Sequence, residues 1–216
     1  MKPAAGRLVS VNVTAVVHEE DWTGNVGRTG IDKRPVQGPV IISNDSLSGD
    51  VIADRKSHGG YDKAVYAYAR EDANWWEAEI GVEIADGKFG ENLTTQGIDV
   101  THAVIGERWS IGTTVFEVSQ PRIPCRVFAG FWDRPSLIKD FTNAGRPGTY
   151  LRIVQKGQIT SGDEIVILHR PDHGVTISDL FAAKAGERSR MVDIVKVPEV
   201  SENIRQWAEN IIRLST

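Results

Sequence analysis

Between residues 8 and 17 apolar and polar residues alternate: Val9, Val11 and Val13 are set against Ser10, Asn12 and Thr14. A two-residue period belongs to a half-buried strand, so the chain is predicted to open on one. From 21 to 38 the alternation stops. This stretch is polar, with Gly24, Gly27 and Gly30 three apart, and reads as a long surface loop of the kind that tends to carry function. Residues 40–43, 49–53 and 64–68 are short apolar runs bounded by Gly, Pro, Asn or Asp, and predict further strands.

The period changes between 71 and 80, where Ala73, Trp76 and Ile80 fall on one helical face and Gly81 is placed to end the helix. Short strands resume at 114–119, 149–155 and 164–168. Two segments, 104–112 and 156–165, each set a glycine-containing turn beside an apolar run, the pattern of hairpins in a closed barrel. Residues 172–175 read as a linker, after which the pattern is helical. Ser178 is a cap for a helix carrying Leu180, Phe181 and Ala185, and Ser201 for one carrying Ile204, Trp207, Ile211 and Leu214, with a third helix at 191–197. These readings give a mainly β fold with a helical tail too small for a core of its own, so the tail is expected to pack on the barrel or on a second subunit.

A chain of 216 residues, 40% of them hydrophobic, can bury a full core. No apolar run approaches a membrane span, and the first residues read into a strand rather than a signal peptide, so the expected location is the cytoplasm. The net charge of -4, with both signs interspersed, gives no reason to expect a nucleic-acid partner. The single cysteine, Cys125, excludes an internal disulfide and lies in Pro121-Arg-Ile-Pro-Cys-Arg126. Two prolines make this a rigid turn, and Arg122 and Arg126 favour a thiolate, although a lone cysteine is often only a small buried hydrophobe. His58, Gly59, Gly60 and Lys63 read either as an anion-binding turn or as a tight turn into the next strand. Glu91 and Asn92 either orient a ligand or close their own turn. Arg28, Thr29 and Lys33 suit a loop folding over a ligand, and Trp22, Trp109 and Trp132 suit either ring stacking or the core. His169 and His173 have helical spacing, but Pro171 between them argues against a zinc site.

His58-Gly-Gly-Tyr-Asp-Lys-Ala-Val-Tyr66, Phe89-Gly-Glu-Asn-Leu-Thr-Thr95, Val104-Ile-Gly-Glu107 and Pro121-Arg-Ile-Pro-Cys125 follow one another in the order typical of the MOSC family, named for the C-terminal domain of molybdenum cofactor sulfurase. Thr29-Gly-Ile-Asp-Lys-Arg-Pro-Val-Gln-Gly38 and the tail from His173-Gly-Val-Thr176 resemble its bacterial branch linked to 6-hydroxylaminopurine resistance. The resemblance implies a closed β-barrel of the pyruvate-kinase barrel type at 1–171 and a three-helix domain at 172–216. It implies Cys125 as the reactive residue, with Lys63, Thr29 and His58 beside it. Gly59, Gly60, Lys33, Glu91, Asn92, Arg122 and Arg126 are the expected substrate or anion-binding residues, with no protein-bound metal ligand set. Lysine at 63, where relatives can carry arginine, keeps the charge without the bidentate fork. The implied activity is reduction of N-hydroxylated bases to amines, restored by an external thiol or a redox partner protein. The alternative is a sulfur carrier, or a module binding the molybdenum cofactor (molybdopterin), in which Cys125 holds a persulfide. Molybdenum ion and pyridoxal phosphate binding are associated with the family, and the apolar tail allows a homodimer.

Overall fold

The alternation at the start of the chain forms β1 (Gly6–His18) in a computed structural model that describes residues 5–43, 45–53 and 59–215. Its polar positions do not face water. Ser10 and Asn12 are buried, the Ser10 hydroxyl donating to Asn12 Oδ1 at 2.9 Å and Asn12 Nδ2 to Thr94 Oγ1 at 3.0 Å. The first half of β1 is therefore covered on both faces, and its polar side is satisfied within the protein.

The other strands are β2 (Thr29–Pro35), β3 (Val40–Ile42), β4 (Val65–Ala69), β5 (Leu93–Gln96), β6 (Arg108–Ile111), β7 (Thr114–Pro121), β8 (Thr149–Gln155), β9 (Gly157–Ile159) and β10 (Glu164–His169). Strands β1, β10, β6, β7, β8, β4 and β5 pair in that order, and β5 returns to β1, closing the expected barrel. Closure leaves no free sheet edge within it. All these pairings are antiparallel except β4 with β5, which are joined by the helix α1 (Arg70–Ile80), because parallel neighbours need a crossover. Gly81, at φ 68°, ends α1 as its position suggested. Strand β2 pairs with the far half of β1 outside the closed ring, and β3 with β9 forms a separate pair.

The predicted loop at 21–38 contains a 3-10 turn, Asp21–Val26, and then β2, a strand held by its ladder with β1 rather than by an apolar repeat. Residues 49–53 form no strand. After β7 come two unpredicted helices, α2 (Arg126–Phe131) and α3 (Leu137–Ala144), of six and eight residues, too short to display a helical period. Their rings join Tyr68, Trp76 and Phe89 in an aromatic cluster outside the barrel, where Tyr68 stacks on Phe89 at 4.3 Å and Phe128 meets Phe141 edge-on at 5.2 Å.

The tail forms α4 (Ile177–Lys184), α5 (Met191–Lys196) and α6 (Glu202–Ser215). Thr176, not Ser178, caps α4: its hydroxyl accepts from Asp179 N, and the Asp179 carboxylate accepts from Thr176 N, a capping box. Val175, Leu180, Ile194, Val200, Ile204 and Ala208 belong to the same buried apolar cluster as Trp109, Phe116 and Leu151 of the barrel. The tail is thus packed on the barrel. Arg152 of β8 fastens the two, donating to Glu117 on β7, to Asp62 and to the Glu199 carbonyl just ahead of α6. No helix among the described residues is long and apolar enough to cross a membrane.

Candidate functional site

A cavity of about 390 Å³ opens between the 3-10 turn, β2, residues 50–53, the residues leading into β4, and the start of α2. Gly30 makes the joint between two of these walls. A Cβ there would lie 2.4 Å from the Val51 carbonyl oxygen, so only glycine lets β2 approach that segment.

Cys125 stands on the rim of this cavity, half-buried, in extended backbone at the N-cap of α2. Pro121 ends β7 opposite Thr149, and Pro124 fixes the residue ahead of the cysteine, so the sulfur is presented from a short braced link rather than from a mobile loop. The neighbouring arginines differ in setting. Arg126 is exposed on the rim, whereas Arg122 is 4% exposed, with its guanidinium 4.3 Å from the centre of the Phe128 ring and 5.1 Å from that of Tyr66. One Arg122 nitrogen donates to the Phe89 carbonyl, and its buried Nε has no hydrogen-bond partner among the described residues. Burial alone would pull Arg122 down. The hydroxyls of Tyr66 and Tyr150 and the Cys125 sulfur outweigh it and hold the guanidinium above the usual arginine value.

Opposite lies a second buried charge system. Lys33 of β2 is paired with Asp50, and their side chains are 9% and 2% exposed. Asp50 also accepts from Thr14 N at 3.1 Å, Thr14 Oγ1 at 2.8 Å and Asn92 Nδ2 at 2.9 Å. Burial pushes the Asp50 carboxyl up, but Lys33, Asn92 and Thr14 more than offset it, so its pKa lies below the usual aspartate value. Burial pulls Lys33 below the usual lysine value, against the attraction of Asp50. Asn92 is the junction beneath the pair: its Oδ1 accepts from Tyr66 N at 3.1 Å and its Nδ2 donates to Asp50 and to the Asn12 carbonyl.

Of the residues singled out in the sequence, Cys125, Thr29, Lys33, Gly59, Lys63, Asn92, Arg122 and Arg126 all line this one cavity, drawn from separate parts of the chain. Gly60 and Glu91 are not among its lining residues. Glu91 lies buried beside the lining residues Gly90 and Asn92, where one oxygen accepts from Gly87 N at 2.6 Å and Thr94 Oγ1 at 3.0 Å and the other has no partner among the described residues. Burial pushes its carboxyl up to about 7. His58 lies outside the described residues. None of the three tryptophans lines the cavity. Trp109 is fully buried and donates to Glu107 at 2.8 Å, Trp22 packs on His18 and Phe131, and Trp132 packs on Phe89. The aromatic lining is instead Tyr66, which the sequence marked only as a strand residue and the end of a motif, and Tyr150, which it marked only as a strand residue, and Asp50 was missed altogether. A buried tyrosine hydroxyl needs a partner, and that requirement was the available signal for the tyrosines. Nothing local marks Asp50.

Lys33, Lys63, Arg122 and Arg126 line the cavity with one acidic residue, Asp50, a surplus of positive charge beside one sulfur. The closed barrel is the architecture that the resemblance to the MOSC family implied. The chain matches the family described as MOSC domain over residues 54–166 and belongs to that family. It is 32% identical over 157 residues to the uncharacterized protein YflK of Bacillus subtilis, covering 73% of this chain and 71% of that one. It is 35% identical over 173 residues to a Gibberella moniliformis protein named Reductase, covering 78% of this chain but only 30% of that longer protein. Among solved structures, YiiM from Geobacillus stearothermophilus superimposes with a TM-score of 0.79 at 29% identity, covering 95% of this chain and 98% of that one.

Proposed function

We propose that this protein is a thiol-dependent reductase of N-hydroxylated bases, with Cys125 as the nucleophile and residues 172–216 as a helical unit bracing the barrel. The observation that carries the reading is the placement of a single half-buried cysteine on the rim of a cavity lined by Thr29, Lys33, Lys63, Arg122, Tyr66 and Tyr150. The size suits a purine-sized ring with a polar substituent, and the fungal relative's name points to the same class of reaction.

In the proposed cycle the Cys125 sulfur attacks the hydroxylated nitrogen. An S–N bond forms, the N–O bond breaks with its electron pair on oxygen, and oxygen leaves as water after gaining a proton. Nitrogen is reduced by two electrons and sulfur is oxidised to the sulfenamide. An external thiol then attacks the sulfur, releasing the amine with that thiol's proton and leaving a mixed disulfide. A second external thiol frees Cys125 and departs as the disulfide. One N-hydroxy base and two thiols thus become one amine, one water and one disulfide. Thr29 positions the base, and Arg122, held between two rings, keeps a fixed positive charge beside the reacting sulfur.

The molybdenum cofactor associated with the family also fits the residues present. Arg122 with its unpartnered Nε, together with Lys33 and Lys63, would hold an anionic pterin phosphate, and Cys125 would offer sulfur to the metal. When bound, that group supplies two-electron transfer.

The test is conversion of 6-hydroxylaminopurine to adenine by purified protein with excess dithiol, followed chromatographically. Turnover that disappears in Cys125→Ser is the expected result; equal turnover in Cys125→Ser overturns the reading. If Cys125 instead gains one sulfur on incubation with a sulfur donor and no amine is made, the protein is a persulfide carrier.

A further inference from the structure

Breaking the N–O bond requires a proton for the departing oxygen, because hydroxide is a poor leaving group. Resting on the reductase reading, we propose that Lys33 is the catalytic proton donor and that Asp50, which nothing in the sequence marked, is the residue that positions it. A lysine ammonium carries three hydrogens. Among the described residues Asp50 is the one side-chain hydrogen-bond partner of the Lys33 amine, and Lys33 is among the residues that line the cavity, so the ammonium has N–H groups beyond that single bond to offer a ligand. Asp50 cannot do the same work. Its carboxylate already accepts from Lys33, from the Thr14 amide and hydroxyl and from Asn92, and is only 2% exposed, so it is held in place and occupied.

Burial weighs most against the Lys33 ammonium; Asp50, on the segment after β3, and Glu91, ahead of β5, favour it, and Arg122, after β7, opposes it. The result is an ammonium that is kept in one place yet gives up its proton more readily than an exposed lysine. In the step itself, the Lys33 proton moves to the oxygen as the N–O bond breaks, water leaves, and the neutral amine regains a proton from solvent when Cys125 is released as a thiolate at the end of the cycle. Lys63 also lines the cavity, and the family resemblance alone would offer Lys63 or His58 as the donor.

The experiment compares two purine substrates, one with N–OH and one with N–O–acetyl, whose acetate leaves without a proton. Lys33→Ala is expected to lower kcat on the N–OH substrate by about 10²-fold or more while slowing the acetylated one by less than about five-fold. Asp50→Asn, which frees the amine to wander, is expected to lower kcat on N–OH with a smaller loss than Lys33→Ala and to shift the alkaline limb of its pH profile. Since Lys33→Ala leaves a buried carboxylate unpaired, the double variant Lys33→Ala/Asp50→Asn repeats the comparison without that charge. Equal slowing of both substrates, or no slowing of either, in the folded double variant overturns the assignment, as does a Lys63→Ala variant that shows the selective loss instead. Cys125→Ser run alongside separates the two levels: if it stays active, the reductase reading itself has failed, whereas an inactive Cys125→Ser with an unselective Lys33→Ala defeats only the proton donor.

Discussion

Glu91 is the residue at which burial and titration are most directly linked. Its carboxyl ordinarily titrates near 4.5 but is pushed up to about 7 by the desolvation of a fully enclosed site, which the bonds from Gly87 and Thr94 only partly offset. A carboxyl whose pKa is raised in the folded protein binds its proton more tightly there than in the unfolded chain, so its contribution falls as pH rises from about 4.5 through about 7. The loss across that window is on the order of 3 kcal/mol. Urea unfolding from pH 4.5 to 8 is expected to show a steeper decline in the wild type than in Glu91→Gln, whose side-chain oxygen can keep both accepted bonds. Parallel curves would show that Glu91 is not the titrating group. At Cys125 the expectation is different: serine is a better N-cap than cysteine, so Cys125→Ser should match or slightly exceed the wild type in melting temperature while losing activity. A stability loss in that variant would mean that the thiol has a packing role.

Among the elements, β2 is where the site and the fold are least separable. Gly87, at φ 88°, places the turn before β5 so close to β2 that a Cβ would lie 2.4 Å from the Lys33 carbonyl oxygen. Gly87→Ala therefore meets both a backbone conformation that alanine resists and a clash with the strand carrying Lys33. A cost of about 2 kcal/mol is expected, lowering the melting temperature by roughly 4–8 °C in a chain of this size. Calorimetry checks this, and an unchanged transition would show that the strand has room to move. The same strand shows where reading the sequence stops working. The α1 pattern at Ala73, Trp76 and Ile80 and the run at 64–68 announce their elements because each is long or apolar enough to show a period. β2 contains Asp32, Lys33 and Arg34 and is held by backbone pairing to β1, which leaves no local hydrophobic signature. Helices α2 and α3 are hidden for the related reason that about two turns cannot define a face. Within the site, the lining residues found beforehand were those in recognisable motifs, whereas Asp50 and Tyr150 become visible only when distant strands are brought together, and Tyr66, though it closes a motif, shows its place in the lining only then.

At the scale of the whole molecule, Arg152 ties the barrel, the approach to the cavity and the tail. Its guanidinium, 7% exposed, holds Asp62, which precedes Lys63, as well as Glu117 and the Glu199 carbonyl. Arg152→Met should cost about 3 kcal/mol by leaving Glu117 buried with Arg108 as its remaining partner, and should speed hydrogen exchange at residues 61–63 and 198–201 together. Faster exchange at one of these segments alone would contradict a shared clasp.

The molecule as a whole brings one sulfur to a cation-lined cleft, and the proposed cycle reduces nitrogen through a bond to that sulfur. Intact-mass analysis of the protein mixed with 6-hydroxylaminopurine, before any external thiol is added, looks for that bond. The expected product is a species heavier by the base less one water, mapped to Cys125 and discharged as adenine when thiol is supplied. Adenine formed with no such species at any time, or the same species formed in Cys125→Ser, would contradict it.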